Sequence, residues 1–241
     1  MRRLRAAALL AAALALGLLL PVLASWVQDR AASQQETSGI HQVDLSLSSS
    51  LTMMQKLQMM SGGGASAIQM AEGRVQTTES LSKACWTVLG RLLERGAVEM
   101  VPENIVQSSQ TPMLVSAGGE AFLMWEVLFQ DGDSVLLQIF LDDETGLPLG
   151  LGYYGQGEAQ NADVLGGAAY SAASVLAEMA GLALQAAEEV EPAMTDASAG
   201  VAAVQLWLWD EADVSEGCGV EVCFGDGMYT VNQPQWQEGS P

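Results

Sequence analysis

Hydrophobic positions follow three rhythms along this chain. From Ala6 to Ala24 they run on with only Gly17 and a late Pro21 as breaks, and after Ser25, Trp26 and Val27 the sequence turns polar. A run of that length can span a hydrocarbon core as a helix. Farther on, Leu51, Met54, Leu57 and Met60 recur every third residue, with Met53 and Met59 beside them. Thr52, Gln55, Lys56 and Gln58 supply the polar side, so the spacing predicts a short amphipathic helix ended by Gly62-Gly63-Gly64, its methionines filling a core. Thr78 to Arg95 predicts a longer helix. Leu81, Cys85, Val88, Leu89 and Leu92 share one face, Thr77 or Thr78 can cap it, Glu79 suits the first turn, and Gly96 can take the left-handed stop.

The third rhythm is alternation. Val43, Leu45 and Leu47 read as an extended entry and Ala67 to Ala71 as a short strand. Met113 to Ser116, Ala121 to Phe129, Val135 to Asp142 and Leu149 to Tyr154 then read as a meander, divided by Gly118-Gly119, Asp131-Gly132-Asp133 and Asp143-Glu144-Thr145-Gly146. The order then recurs. Asn161 or Asp163 can cap a helix running through Ala187, and Val201 to Trp209 and Val220 to Val231 read as strands with Gly225-Asp226-Gly227 as a hairpin turn. Glu178 near the middle of that helix and the acidic flanks argue against a second membrane span.

The expected fold class is therefore α+β: an N-terminal transmembrane helix followed by antiparallel sheet units, each packed by a helix, as two small units in tandem or one composite sheet. The boundaries drawn are an anchor at 1–27, a tether at 28–42, a short helix and entry strand at 43–76, a helix plus meander at 77–154, a second helix plus strands at 155–232, and a tail at 233–241.

Charge fixes the direction of export. Arg2, Arg3 and Arg5 precede the apolar run, no Lys or Arg follows Arg95, and the chain holds 9 Lys and Arg against 29 Asp and Glu, for a net charge of −20. The positive-inside rule puts the N-terminus in the cytoplasm and the acidic remainder outside, with the membrane crossed through residues 6–27. Val22-Leu23-Ala24 offers the competing reading, a signal peptide cut before Ser25 that would release a secreted binding or inhibitor-like module. Both export residue 28 onward. The acidic excess argues against nucleic acid, since no phosphate clamp can be built past Arg95, and it leaves most carboxylates solvated for want of cations.

Catalytic chemistry finds little footing. His41 is the sole histidine and lies in the tether, which leaves no base for a Ser-His-Asp or Cys-His arrangement. A carboxylate-based hydrolase would need converging acids, whereas the visible ones cluster in turns that want them anyway. Three cysteines are too few for a disulfide scaffold, and Cys218 and Cys223, five apart in a strand, point to opposite faces. Cys85 reads as a small buried hydrophobe. No zinc motif exists, Asp131-Gly132-Asp133-Ser134 lacks the spaced ligands of a calcium loop, and no cofactor is called for.

One segment carries a resemblance. Phe140-Leu141-Asp142-Asp143-Glu144-Thr145-Gly146-Leu147-Pro148-Leu149 is similar to the hydrophobic-Asp-x-x-Thr-Gly-x-hydrophobic hairpin of PepSY-type domains, and the preceding helix and strands stand in the matching order over residues 77–154. The resemblance implies a small extracytoplasmic α+β module of the kind found in protease propeptides and in single-pass, membrane-anchored regulators of cell-wall sensor kinases in Gram-positive bacteria. It also implies a non-enzymatic regulatory or interaction role, with an envelope protein as partner. Asp142, Thr145 and Gly146 are the motif residues. Their chemistry is that of a turn: Asp142 accepts backbone N–H bonds and Gly146 permits a positive φ. Pro148 departs from the pattern, confining its strand to an edge or delaying its start.

Overall fold

The computed structural model describes residues 51–62, 64–98, 103–155, 162–186, 202–210, 213–225 and 227–234. Among the described residues there are three helices, and the first two form where polar caps meet apolar stripes. In α1 (Met53–Ser61), the Thr52 N–H donates to Gln55 Oε1 at 2.8 Å and the Gln55 N–H donates to Thr52 Oγ1 at 3.3 Å, a reciprocal cap. Thr77 and Ser80 make the same exchange at the start of α2 (Thr78–Glu94). Leu81, Cys85, Val88, Leu89 and Leu92 of α2 are all buried.

Both long helices stop on a left-handed glycine. Gly96 (φ +68°) follows α2, and the Ala97 N–H reaches back to Leu92 O at 2.9 Å; Gly181 (φ +70°) follows α3 (Ala162–Ala180), and the Leu182 N–H reaches back to Ala177 O at 2.8 Å. The helix expected to continue through Ala187 is thus cut short at Ala180. The residues after Gly181 form a strand instead.

Nine strands make one sheet: β1 (Ser66–Gln69), β2 (Val106–Ala117), β3 (Glu120–Asp131), β4 (Ser134–Asp142), β5 (Pro148–Tyr154), β6 (Ala183–Ala186), β7 (Ala202–Asp210), β8 (Asp213–Gly225) and β9 (Met228–Val231). Their spatial order is β1-β2-β3-β4-β5-β9-β8-β7-β6, and neighbouring strands run antiparallel. This corrects the expected fold class. Instead of α+β sheet units each packed by its own helix, the described residues form a mostly β structure, one continuous sheet with three helices. The splice is β9. Its Val231 pairs with Leu151 of β5 on one side and with Val222 of β8 on the other, joining the two halves of the chain into one sheet. Such a pairing joins residues far apart in sequence, which local periodicity does not report.

The transmembrane helix expected over residues 6–27 lies outside the described residues, as do the tether with His41, the tail beyond Pro234 and Asp226. Among the described residues no helix is long and apolar enough to cross a membrane.

Register explains the core. Val127, Ile139, Leu151, Val231, Val222 and Val204 stand side by side across six strands, and Phe129, Leu137, Tyr153, Tyr229 and Phe224 form the adjacent row on the same face. α2 and α3 cover this face. The Trp86 ring of α2 meets Phe129 edge-on with centroids 5.2 Å apart, and a Cβ built on Gly166 of α3 would lie 3.2 Å from the Phe224 ring. Tyr229, fully buried, donates its hydroxyl to Ala97 O at 2.8 Å and so ties the end of α2 to the splice strand. Pro148 opens β5 between two neighbouring strands rather than at an edge of the sheet, and β9 pairs only from Leu151 onward, so no ladder bond is lost at the proline.

Candidate functional site

Of the turn motif, Asp142 faces inward while Thr145 stays exposed. Asp142, fully buried, accepts from the Thr145 N–H at 3.1 Å and the Thr145 hydroxyl at 2.7 Å through Oδ2, and Gly146 sits at φ +69° with its N–H donating to Asp142 O at 2.8 Å. The other carboxylate oxygen receives Lys56. This lysine, expected on the polar side of α1, is buried: its Nζ lies 2.8 Å from Asp142 Oδ1 and 2.7 Å from Glu144 Oε2, and 5.9 Å from the centre of the Phe122 ring. Burial alone would lower the amine's pKa, but the two carboxylates outweigh it and hold the pKa above its ordinary value.

Asp143 is the larger departure from the expectation that the acids are solvated. It is 1% exposed, and among the described residues no cation pairs with it. Four N–H groups take the place of one: Arg74 and Val75 at 3.0 Å each, Gln76 at 3.2 Å and Trp125 Nε1 at 2.7 Å. Successive backbone amides aimed at one carboxylate form an anion nest, and here the nest fastens the loop before α2 to the β4–β5 turn. Every carboxylate oxygen of Asp142 and Asp143 is thereby engaged. Both carboxylates are spent on their own chain.

A second candidate surface is the sheet face turned away from α2 and α3. Alternation places Leu128, Gln138, Gly152, Thr230 and Cys223 in one row there, with Tyr154 beside Met228 and Glu221 two residues from Cys223. A cleft of about 310 Å³ opens among Tyr154, Glu221, Cys223, Met228, Thr230 and Gln233. Gly152 makes room for it, because a Cβ there would lie 2.8 Å from the Tyr154 hydroxyl.

The polar groups of the cleft are tied to one another. The Tyr154 hydroxyl donates to Gln138 Oε1 at 2.8 Å, Gln233 Nε2 donates to Tyr154 Oη at 3.2 Å, and Gln138 Nε2 donates to Glu126. Burial raises the Tyr154 pKa, the Glu126 charge adds to the rise, and the Gln233 bond opposes it. The Cys223 thiol points to Glu221 Oε1 at 3.2 Å; burial, that bond and the Glu221 charge push its pKa up to about 12. Cys85 and Cys218 are free buried thiols, with burial raising them to about 12 and about 11. At neutral pH these are hydrogen-bonding and apolar surfaces rather than nucleophiles.

The structure thus brings Asp142, Thr145 and Gly146 together with Lys56 and Glu144, and sets them apart from the cleft. Sequence reading missed the cleft, whose residues come from β5, β8, β9 and the segment after β9. The available signal was the small and polar alternation of Gly150, Gly152 and Tyr154. Among the described residues no group of three or more His, Cys, Asp or Glu side chains is placed to hold a metal ion. No family model matches the chain, and neither does any curated protein or solved structure.

Proposed function

We propose that this chain is a membrane-anchored, extracytoplasmic and non-enzymatic protein that binds another envelope protein through the sheet face turned away from α2 and α3. The observation that carries the reading is the cleft on that face, with Trp207 of β7 on the same side and 45% exposed. An exposed tryptophan on the same sheet face as amides, a tyrosine and a carboxylate gives that face the composition of a protein contact surface. The raised thiol and phenol and the mutual hydrogen bonds of the cleft suit recognition better than proton transfer or nucleophilic attack. The anchoring rests on the apolar run from Ala6 with Arg2, Arg3 and Arg5 before it. A regulatory role rests on the PepSY-like turn alone.

Site-specific photocrosslinking in cells tests the reading. Probes at Trp207 and Glu221 are expected to capture the same envelope protein, while a probe at Tyr170, exposed on α3, captures none. Equal capture from all three positions, or capture from none, would overturn it. A tag at Pro241 tests the anchor in the same cells: a full-length membrane species supports it, and a shortened soluble species supports release after Ala24.

A further inference from the structure

We propose that the outer edge of β2, from Val106 to Thr111, docks an extended cationic segment of another protein, which joins the sheet as a strand antiparallel to β2. β1 pairs with β2 only over Met113–Ser116, so beyond Pro112 that edge has no strand neighbour among the described residues. The cause lies in the loop. After β1 the Met70 N–H donates to Pro112 O at 2.8 Å, and then the chain turns away, because Asp143 holds the amides of Arg74, Val75 and Gln76. Gly73 fits only without a side chain, since a Cβ there would fall 2.2 Å from the Trp125 ring. The buried carboxylate thereby strips β2 of a neighbour.

What remains is a notch of about 530 Å³ whose walls include Glu72, Thr78, Gln107, Ser108, Gln110 and Trp125. Two of those side chains hold buried atoms that lack a hydrogen-bond partner, Gln107 Nε2 and Gln110 Oε1. One is a donor and the other an acceptor, the pair of needs that a passing peptide backbone meets. Backbone groups alternate along a strand, and the Pro112 carbonyl faces the outer edge, so those of Gln110 face it as well. The notch shares no lining residue with the cleft.

Charge selects the occupant. A second copy brings another −20, and Pro112 on the edge together with the bulge between Gln107 and Ser109 hinders self-pairing. A cationic segment is drawn by the same field and meets Glu72 at the notch.

The test titrates the full chain with an alternating Thr-Lys peptide, an alternating Thr-Glu peptide and a Thr-Lys peptide N-methylated at every second residue. Amide hydrogen exchange at Ser108–Gln110 and sedimentation are the readouts. The Thr-Lys peptide is expected to bind saturably and slow exchange there, and the other two to leave it unchanged. Gln110→Pro removes an outward N–H while sparing the ladder to β3, and should weaken the peptide about tenfold with the melting temperature kept. Failure of the Thr-Lys peptide to bind, equal binding of all three peptides, or full binding to Gln110→Pro would each overturn the proposal. A parent dimer that Gln110→Pro disperses would overturn it too, by showing the edge filled by a second copy.

Discussion

Lys56 and Asp142 are 86 residues apart in sequence and 2.8 Å apart in space, with side-chain exposures of 3% and 0%. The contact staples α1 to the end of β4. Two charges in so dry a place are each costly, and each is tolerable because the other is there. Lys56→Met keeps the apolar stem and strands the carboxylate beside Thr145 alone. Its expected cost is about 3–5 kcal/mol, read from urea denaturation. A loss below about 1 kcal/mol would mean that the pair is solvated.

The same pair sets an alkaline limit. Lys56 is held above its ordinary 10.5, so folding favours the protonated amine; that contribution is whole below 10.5 and drains away as pH climbs through the folded value. The three thiols, two buried and Cys223 half-buried, act earlier. Their ordinary value is 9.0 and their folded values are about 11 to 12, so above 9.0 unfolding releases protons and stability falls. Parent and Lys56→Met share the thiol effect. Their difference in unfolding free energy is therefore expected to be flat from neutral pH to about 10 and to shrink above it. A difference that shrinks below pH 9 would assign the effect to another group.

Asp143 is expected to be more sensitive to a change of chemistry than of size. In Asp143→Asn one oxygen that receives two N–H groups becomes an NH₂, which can accept neither. Two donors to the buried carboxylate, at least one of them part-buried, lose their acceptor, at about 1–3 kcal/mol each. The loop before α2 should loosen, and Arg74 within it becomes a cleavage site. Limited trypsin digestion should cut there at least several times faster than in the parent. Unchanged digestion would mean that the Trp125 contact alone fixes the loop.

These contrasts show what the sequence could and could not reveal. The turn at Asp142, Thr145 and Gly146 was legible because its bonds span three or four residues, and the stripe of α2 because a helix repeats within one turn. Asp143 was illegible, since its partners are backbone amides 67 to 69 residues away and any residue type supplies those. Lys56 left a faint signal: it stands three residues after Met53 and four before Met60, on the flank of the apolar stripe, in a chain with few cations. Over β6 the spacing predicts helix, because Leu182 and Ala186 continue the apolar stripe, although Gly181 marks the stop. The splice through β9 and the cleft beside it depend on strands that meet only after folding.

Gly146 and Gly132 offer a controlled pair. Both have positive φ, +69° and +61°, but a Cβ on Gly146 meets the Gln76 side chain at 3.4 Å while one on Gly132 meets nothing within 4 Å. Gly132→Ala is expected to cost about 1 kcal/mol from backbone strain alone. Gly146→Val adds a branched side chain against Gln76 and should cost about 1–3 kcal/mol. Equal losses in chemical denaturation would show that Gln76 moves aside freely.

Cys223 reports on the cleft itself. Its thiol is raised to about 12 by burial first, and then by the bond and the charge of Glu221, so little thiolate exists at neutral pH. Alkylation by iodoacetamide at pH 7.5 should be much slower than for an unstructured cysteine. Glu221→Gln removes the charge but leaves an oxygen that can still accept the S–H. The thiol should then fall toward its ordinary 9.0, and the alkylation rate, followed by mass spectrometry, should rise several-fold. Burial is unchanged by that substitution, so the rate stays below that of a free thiol. A partner seated on this face would slow the reaction in both proteins, which makes Cys223 a direct probe of occupancy. Rapid alkylation of the parent protein would show instead that the cleft is open to water and that Glu221 points away.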